Sequence, residues 1–118
     1  MARSIPNNKE AEQSLLSSMF LSKYALDKAV DSLSTDDFYY DNNRIIYQTL
    51  ISLRSKNSPI DMTSIITELK NTDKLNEAGG IPYITEVLNS EAVATNAEYY
   101  IKKVSDAALL RRLIKVSE

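Results

Sequence analysis

The sequence predicts an all-α protein, a compact bundle of about six helices that ends in the start of a helical hairpin. Three observations carry that expectation. Only 2 glycines and 3 prolines occur in 118 residues while 43% of the chain is hydrophobic, too little turn chemistry for an all-β architecture and too much apolar content for disorder. Apolar residues recur at helical spacing in one segment after another. No stretch shows sustained period-two alternation with β-branched enrichment, and only Ser58–Ile60 reads as extended. A chain of this length is one domain's worth and buries roughly two-thirds of its unfolded surface.

Asn7 is placed to cap a first helix over about residues 8–21, with Glu10 three positions on in an Asn variant of the capping box. Ala11, Leu15, Leu16 and Met19 share its inner face. Ser22 caps a second helix in which Leu26, Ala29, Val30 and Leu33 form the apolar stripe. Ser34-Thr35-Asp36-Asp37 is turn chemistry, read as a helical turn, and Phe38, Tyr39 and Tyr40 follow as aromatic anchors. Asp41 or Asn42 opens a third helix with Ile46, Leu50 and Leu53 along one ridge, widened by Ile45 and Tyr47. It stops before Pro59.

Asp61 caps a fourth helix that buries Ile65, Ile66 and Leu69. Gly79-Gly80 reads as a left-handed helix ending, followed by Pro82 at the first position of a short helix running to Leu88. Ser90–Ala94 is a linker. Thr95 and Glu98 form a second capping box, opening a last helix with Ala97, Ile101, Val104 and Ala108 at a/d-like spacing. Leu109, Leu110, Leu113, Ile114 and Val116 then spread around more of its circumference, with no Gly, Pro or cap before Glu118. Such a helix would expose a sticky surface if it stood alone, so it either continues or packs on another chain. The expected organisation is a tail over 1–6, a helical head over 7–94 and a long helix over 95–118 that leads into a hairpin.

Cysteine and histidine are both absent. That excludes disulfides, thiolate and imidazole metal sites, Ser-His-Asp triads and Cys nucleophiles. The one glycine pair is not followed by Gly-Lys-Ser/Thr, so neither a P-loop nor a dinucleotide fingerprint is present. The carboxylates at Glu10 and Glu12, and at Asp36 and Asp37, read as solvated or capping groups, with Glu10 the more interesting of the first two. No catalytic, cofactor-binding or metal-binding residue is expected here. Apolar runs reach four residues at most, against about 20 for a membrane span. The start, Met1–Pro6, lacks a signal-peptide core, and a cytoplasmic location follows as an expectation.

The formal charge is -2, but it is uneven: five basic and three acidic groups fall in residues 95–118, nine and thirteen in residues 1–94. The basic end, with Arg111, Arg112 and Lys115, reads mainly as a solvated face or an intersubunit ion-pairing surface, and direct nucleic-acid contact is not expected. Seven tyrosines occur without tryptophan, several near helix starts, where a ring packs and its hydroxyl stays wet.

The opening Ile5-Pro6-Asn7-Asn8-Lys9-Glu10-Ala11-Glu12-Gln13-Ser14-Leu15-Leu16 resembles that of the N-terminal domain of bacterial replicative DNA helicases of the DnaB family. Further matches follow in order: Asp37-Phe38-Tyr39, Pro59-Ile60-Asp61, Leu75–Gly80 with Tyr83-Ile84 behind it, and Asn96–Tyr100 leading into Arg111–Ile114. The resemblance runs from Ile5 to Ile114. Two departures are Ser17, where the family usually carries Gly, and Asn42-Asn43-Arg44, where it often carries His.

The resemblance implies a non-catalytic head that forms the collar of a hexameric ring and docks the C-terminal domain of primase. ATP and magnesium would belong to a motor domain absent from this chain, in a parent helicase moving 5′ to 3′. Glu10 and Tyr83 are the candidate partner-binding residues. Tyr99, Ile101, Leu109, Leu110, Leu113 and Ile114 are candidates for contacts along the hairpin and between subunits, some of them as plain core. The competing reading is a freestanding helical DNA-binding or adaptor module, with the third and fourth helices as a helix-turn-helix and the basic end gripping phosphate.

Overall fold

One helix, α1 (Lys9–Leu21), is surrounded by four of the others in the computed structural model, which describes residues 5–90 and 96–117. Leu15, Leu16 and Met19 on α1 are fully buried, and the helix packs against α2 (Lys23–Ser32), α3 (Asp41–Ser55), α5 (Gly80–Leu88) and α6 (Ala97–Ser117). A short 3-10 turn, Thr35–Asp37, links α2 to α3, and α4 (Met62–Asn71) lies on α3. No strand occurs among the described residues. The expected all-α bundle is what the chain forms.

Several ends form as the sequence predicts. Ser22 Oγ accepts from Ala25 N and Asp61 Oδ1 from Ser64 N, capping α2 and α4. The start of α1 differs by one residue: Asn8 Oδ1, not Asn7, accepts from Ala11 N at 3.0 Å. Asn7 is diverted, because its Oδ1 accepts from the Tyr40 hydroxyl at 2.7 Å. Glu10 accordingly closes no capping box and stands exposed. Apart from Ser90, the linker expected over Ser90–Ala94 and the Thr95 cap lie at residues 91–95, outside the described residues.

Three chain reversals use one device. Asn57 and Asp73 follow α3 and α4 with φ of 54° and 56°, and Gly79 has φ 101°. In each case the next residue's N–H reaches back five positions: Ser58 to Leu53 O, Lys74 to Leu69 O, Gly80 to Leu75 O. This is the Schellman ending, which satisfies carbonyls a helix would otherwise leave orphaned. Glycine is required at 79, where a Cβ would meet the Tyr83 side chain at 2.8 Å. Because Gly79 acts as the cap, α5 starts at Gly80, and Pro82 lies at its third position instead of its first. Its missing N–H costs nothing in a first turn.

Tyr47 and Phe38 anchor the α2–α3 connection, with ring centroids 4.7 Å apart. The buried Tyr47 hydroxyl sits 2.9 Å from Leu33 O and 3.1 Å from Ala29 O, at the C-terminal end of α2. Burial pushes its pKa up to about 12, with Asp37 adding to the effect. It therefore stays a neutral donor at physiological pH.

Candidate interaction surfaces

Two faces of α6 have opposite character. Ala97, Ile101, Val104 and Ala108 are buried against the bundle, as their spacing predicts. Leu109, Leu110 and Leu113 are 52%, 50% and 57% exposed, and Tyr99 is 59% exposed. At about 100° of rotation per residue, the three leucines occupy one side of the helix, turned away from the buried face. Of the six residues expected to meet a second chain, Ile101 is core within this one, Ile114 is partly buried, and the other four present apolar surface to solvent. An exposed apolar stripe is the kind of surface on which apolar contacts form.

A second feature joins α1, α3 and α5 through polar groups. Glu12 is only 1% exposed. Its carboxylate accepts from Tyr39 N at 2.8 Å, Tyr40 N at 3.4 Å and Asn43 Nδ2 at 2.9 Å. The α3 N-cap is Tyr40, not Asp41 or Asn42, and it has no capping side chain of its own. A carboxylate from α1 instead takes the N–H of the cap residue and of the residue before it, and places negative charge near the positive end of the α3 dipole. Neither a solvated role nor a cap on its own helix describes Glu12. Its burial was readable, since it precedes Leu15, Leu16 and Met19 by three, four and seven positions and so shares their stripe.

Tyr83 continues the network. Its hydroxyl donates to Asn43 Oδ1 at 2.6 Å and accepts from Gln13 Nε2 at 3.3 Å. Donors thus run from Gln13 through Tyr83 and Asn43 to Glu12, a chain in which each bond polarises the next. Burial raises the Tyr83 pKa, with the charges of Glu12 and Glu86 reinforcing it and the hydrogen bonds to Gln13 and Asn43 opposing it. Both departures from the family pattern fall in such contacts. Asn43 is fully buried. Ser17 Oγ reaches Ser90 O at 3.0 Å and Leu88 O at 3.3 Å at the end of α5.

Both arginines at the basic end of α6 engage groups of this chain, while Arg112 and Lys115 remain exposed. Arg111 donates to Pro6 O at 3.0 Å and Asp37 O at 2.8 Å, and its guanidinium lies 5.2 Å from the centroid of the Tyr39 ring. Arg112 pairs with the Asp37 carboxylate, which also accepts from Ser34 N. These arginines close the N-terminal segment, the 3-10 turn and α6 onto one another within this chain. Burial lowers the Arg111 pKa, with the neighbouring Arg44 and Arg112 adding to the effect against Glu12 and Asp37.

Among the described residues no His, Cys, Asp and Glu cluster has the makings of a metal site, and no helix is long and apolar enough to cross a membrane. What stands out among the described residues is the exposed apolar side of α6.

The family model for the DnaB-like helicase N-terminal domain matches residues 4–106. The replicative DNA helicase DnaC of Bacillus subtilis is 43% identical over 112 residues, covering 95% of this chain and 25% of that protein. The replicative DNA helicase DnaB of Leifsonia xyli is 37% identical over 113 residues, with coverage of 96% and 25%. The chain therefore spans about a quarter of the length of these relatives. The crystal structure of the N-terminal domain of DnaB helicase from Mycobacterium tuberculosis superposes with a TM-score of 0.91 at 33% identity, over 97% of this chain and 83% of that one. The N-terminal domain of the Helicobacter pylori DnaB helicase, studied with its interactions with primase, shares the fold at a TM-score of 0.78 and 20% identity, over 91% and 83% of the two chains.

Proposed function

The chain belongs to the family of DnaB-like helicase N-terminal domains, and from that premise we propose that it is the non-catalytic head of a replicative DNA helicase. In this reading it builds the collar of a hexameric ring and docks the C-terminal domain of primase during DNA replication. The observation that supports it best is the exposed stripe of Leu109, Leu110 and Leu113 on α6, which has the character of a subunit contact and which the proposal places in a hairpin pairing neighbouring heads. Tyr99 and Ile114 would extend that contact, and Ile101 would support it from the core. ATP, magnesium and 5′ to 3′ translocation would belong to a motor domain beyond these residues. The head would then act by tethering, raising the local concentration of primase beside the emerging single strand.

Glu10 and Tyr83 are the proposed primase contacts, one an exposed charge and the other a partly buried ring. The competing DNA-binding reading has less support, because Arg111 and Arg112 are engaged with Pro6 and Asp37. Titration of a primase C-terminal domain into the chain by calorimetry tests the docking role. Glu10→Ala and Tyr83→Ala should each weaken binding by about tenfold, close to 1.4 kcal/mol. Tyr83→Phe controls for the hydroxyl's internal hydrogen bonds. Absence of heat at about 1 mM primase domain would defeat the proposal.

A further inference from the structure

Tyr83 is held at both ends. The root of its ring lies on Gly79, where a Cβ would come within 2.8 Å of the side chain. Its hydroxyl donates to Asn43 Oδ1 at 2.6 Å and accepts from Gln13 Nε2 at 3.3 Å. Asn43 is fixed in turn, because its Nδ2 donates to Glu12 Oε1 at 2.9 Å. A carboxylate can only accept, so the Asn43 amide must turn its N–H₂ to Glu12 and its oxygen to Tyr83. The hydroxyl proton is thereby committed inward. Gln13 closes the arrangement from α1, three positions after Glu10 and on the same side of that helix.

We propose that Asn43, oriented by Glu12, is a positioning residue for Tyr83, fixing the ring in the conformation that meets the partner. The inference rests on the reading of Tyr83 as a primase contact. At 0% exposure Asn43 can reach no partner directly. The bonds from Tyr39 N and Tyr40 N already join α1 to the entry of α3, so what Asn43 adds, beyond a further donor for Glu12, is the hold on Tyr83. A side chain ordered in the free protein has less freedom to lose on binding, and a partly buried tyrosine ordered in this way makes an effective anchor.

Calorimetric titration of the 118-residue chain with a primase C-terminal domain, beside NMR of the free chain, provides the test. Asn43→Leu and Tyr83→Phe should each weaken binding by about threefold or more, the scale of one side chain left to order itself on contact. The two changes together should weaken it no more than the stronger of them alone, because both release the same ring. In the free chain, Hα–Hβ couplings at position 83 should report one χ1 rotamer in the parent and averaging over rotamers in each variant. Tyr83→Phe leaves Asn43 paired with Glu12 and carries both readouts if Asn43→Leu does not fold. An averaged rotamer in the parent would overturn the proposal. So would a double variant that loses the sum of the two effects, since Asn43 would then act on the scaffold and not through Tyr83. Parent-like binding by Asn43→Leu and Tyr83→Phe, with Tyr83→Ala weakened, would overturn the positioning role and leave the primase reading intact. Failure of the parent to bind, or parent-like binding by Tyr83→Ala, would remove that reading and the positioning role with it.

Discussion

Replacing Glu12 by alanine should cost this protein more than any other single carboxylate substitution. Three donors converge on its side chain, at 2.8, 3.4 and 2.9 Å, from Tyr39 N, Tyr40 N and Asn43 Nδ2. Only 1% of the residue reaches solvent. Removing the acceptor strands donors where water enters poorly, at about 1–3 kcal/mol for each one left unpaired. Tyr40 N at 3.4 Å is the weakest of the three and the most readily rehydrated. The working figure is therefore about 3–5 kcal/mol, a large part of the roughly 5–15 kcal/mol that holds a domain of this kind together. Glu12→Gln keeps the shape and one acceptor oxygen but turns an amide N–H₂ towards one donor, and should lose about half as much. Urea unfolding followed by far-ultraviolet circular dichroism measures both, with an unchanged slope confirming that stability alone has moved. Glu10→Ala, two positions away and exposed, serves as the control and should stay within about 0.5 kcal/mol of the parent. A loss under about 1 kcal/mol for Glu12→Ala would show that Tyr39 N, Tyr40 N and Asn43 Nδ2 find other partners and that Glu12 does not hold the entry to α3.

Three further outcomes can be measured in the same way. Gly79→Ala places a Cβ 2.8 Å from the Tyr83 side chain at a φ of 101°, and should destabilise by about 2 kcal/mol or more, with the tyrosine ring environment altered in near-ultraviolet dichroism. Asp73→Gly relieves a φ of 56° after α4 and should stabilise by about 0.5–1 kcal/mol; a loss would mean the Asp73 side chain has a role its backbone conformation does not suggest. The Glu68 pKa is held below its ordinary 4.5 by hydrogen bonds from Lys56, then from Ser52, with burial opposing. A depressed folded pKa means this contribution is complete above the unfolded value and lost as pH falls through the folded one. Stability measured from pH 6 downwards should thus fall more steeply in the parent than in Glu68→Gln, and parallel curves would refute the assignment.

Local chemistry announces itself in sequence, and tertiary chemistry does so only in part. Ser22 and Asp61 cap the helices their positions predict, because a cap bonds an N–H three residues away and so depends on neighbours alone. The a/d-like spacing of Ala97, Ile101, Val104 and Ala108 likewise sufficed to assign the buried side of α6, since helical periodicity is a property of the chain itself. Between adjacent Asn7 and Asn8 the choice of cap was settled from outside, by the Tyr40 hydroxyl, 33 residues along the chain.

The all-α class, the helix stripes, the absence of cysteine and histidine chemistry, and an apolar surplus on the last helix were all determined by the order of residues. Only the folded structure decided that Glu12 would hold the entry to α3 through Tyr39 N and Asn43 Nδ2, that Asn43 would join it to Tyr83, and that Arg111 and Arg112 would engage Pro6 and Asp37. The physical reason is the same in each case. A buried charge or donor is stable only beside its partner, and which partner arrives is set by how the helices pack, not by the residues on either side of it.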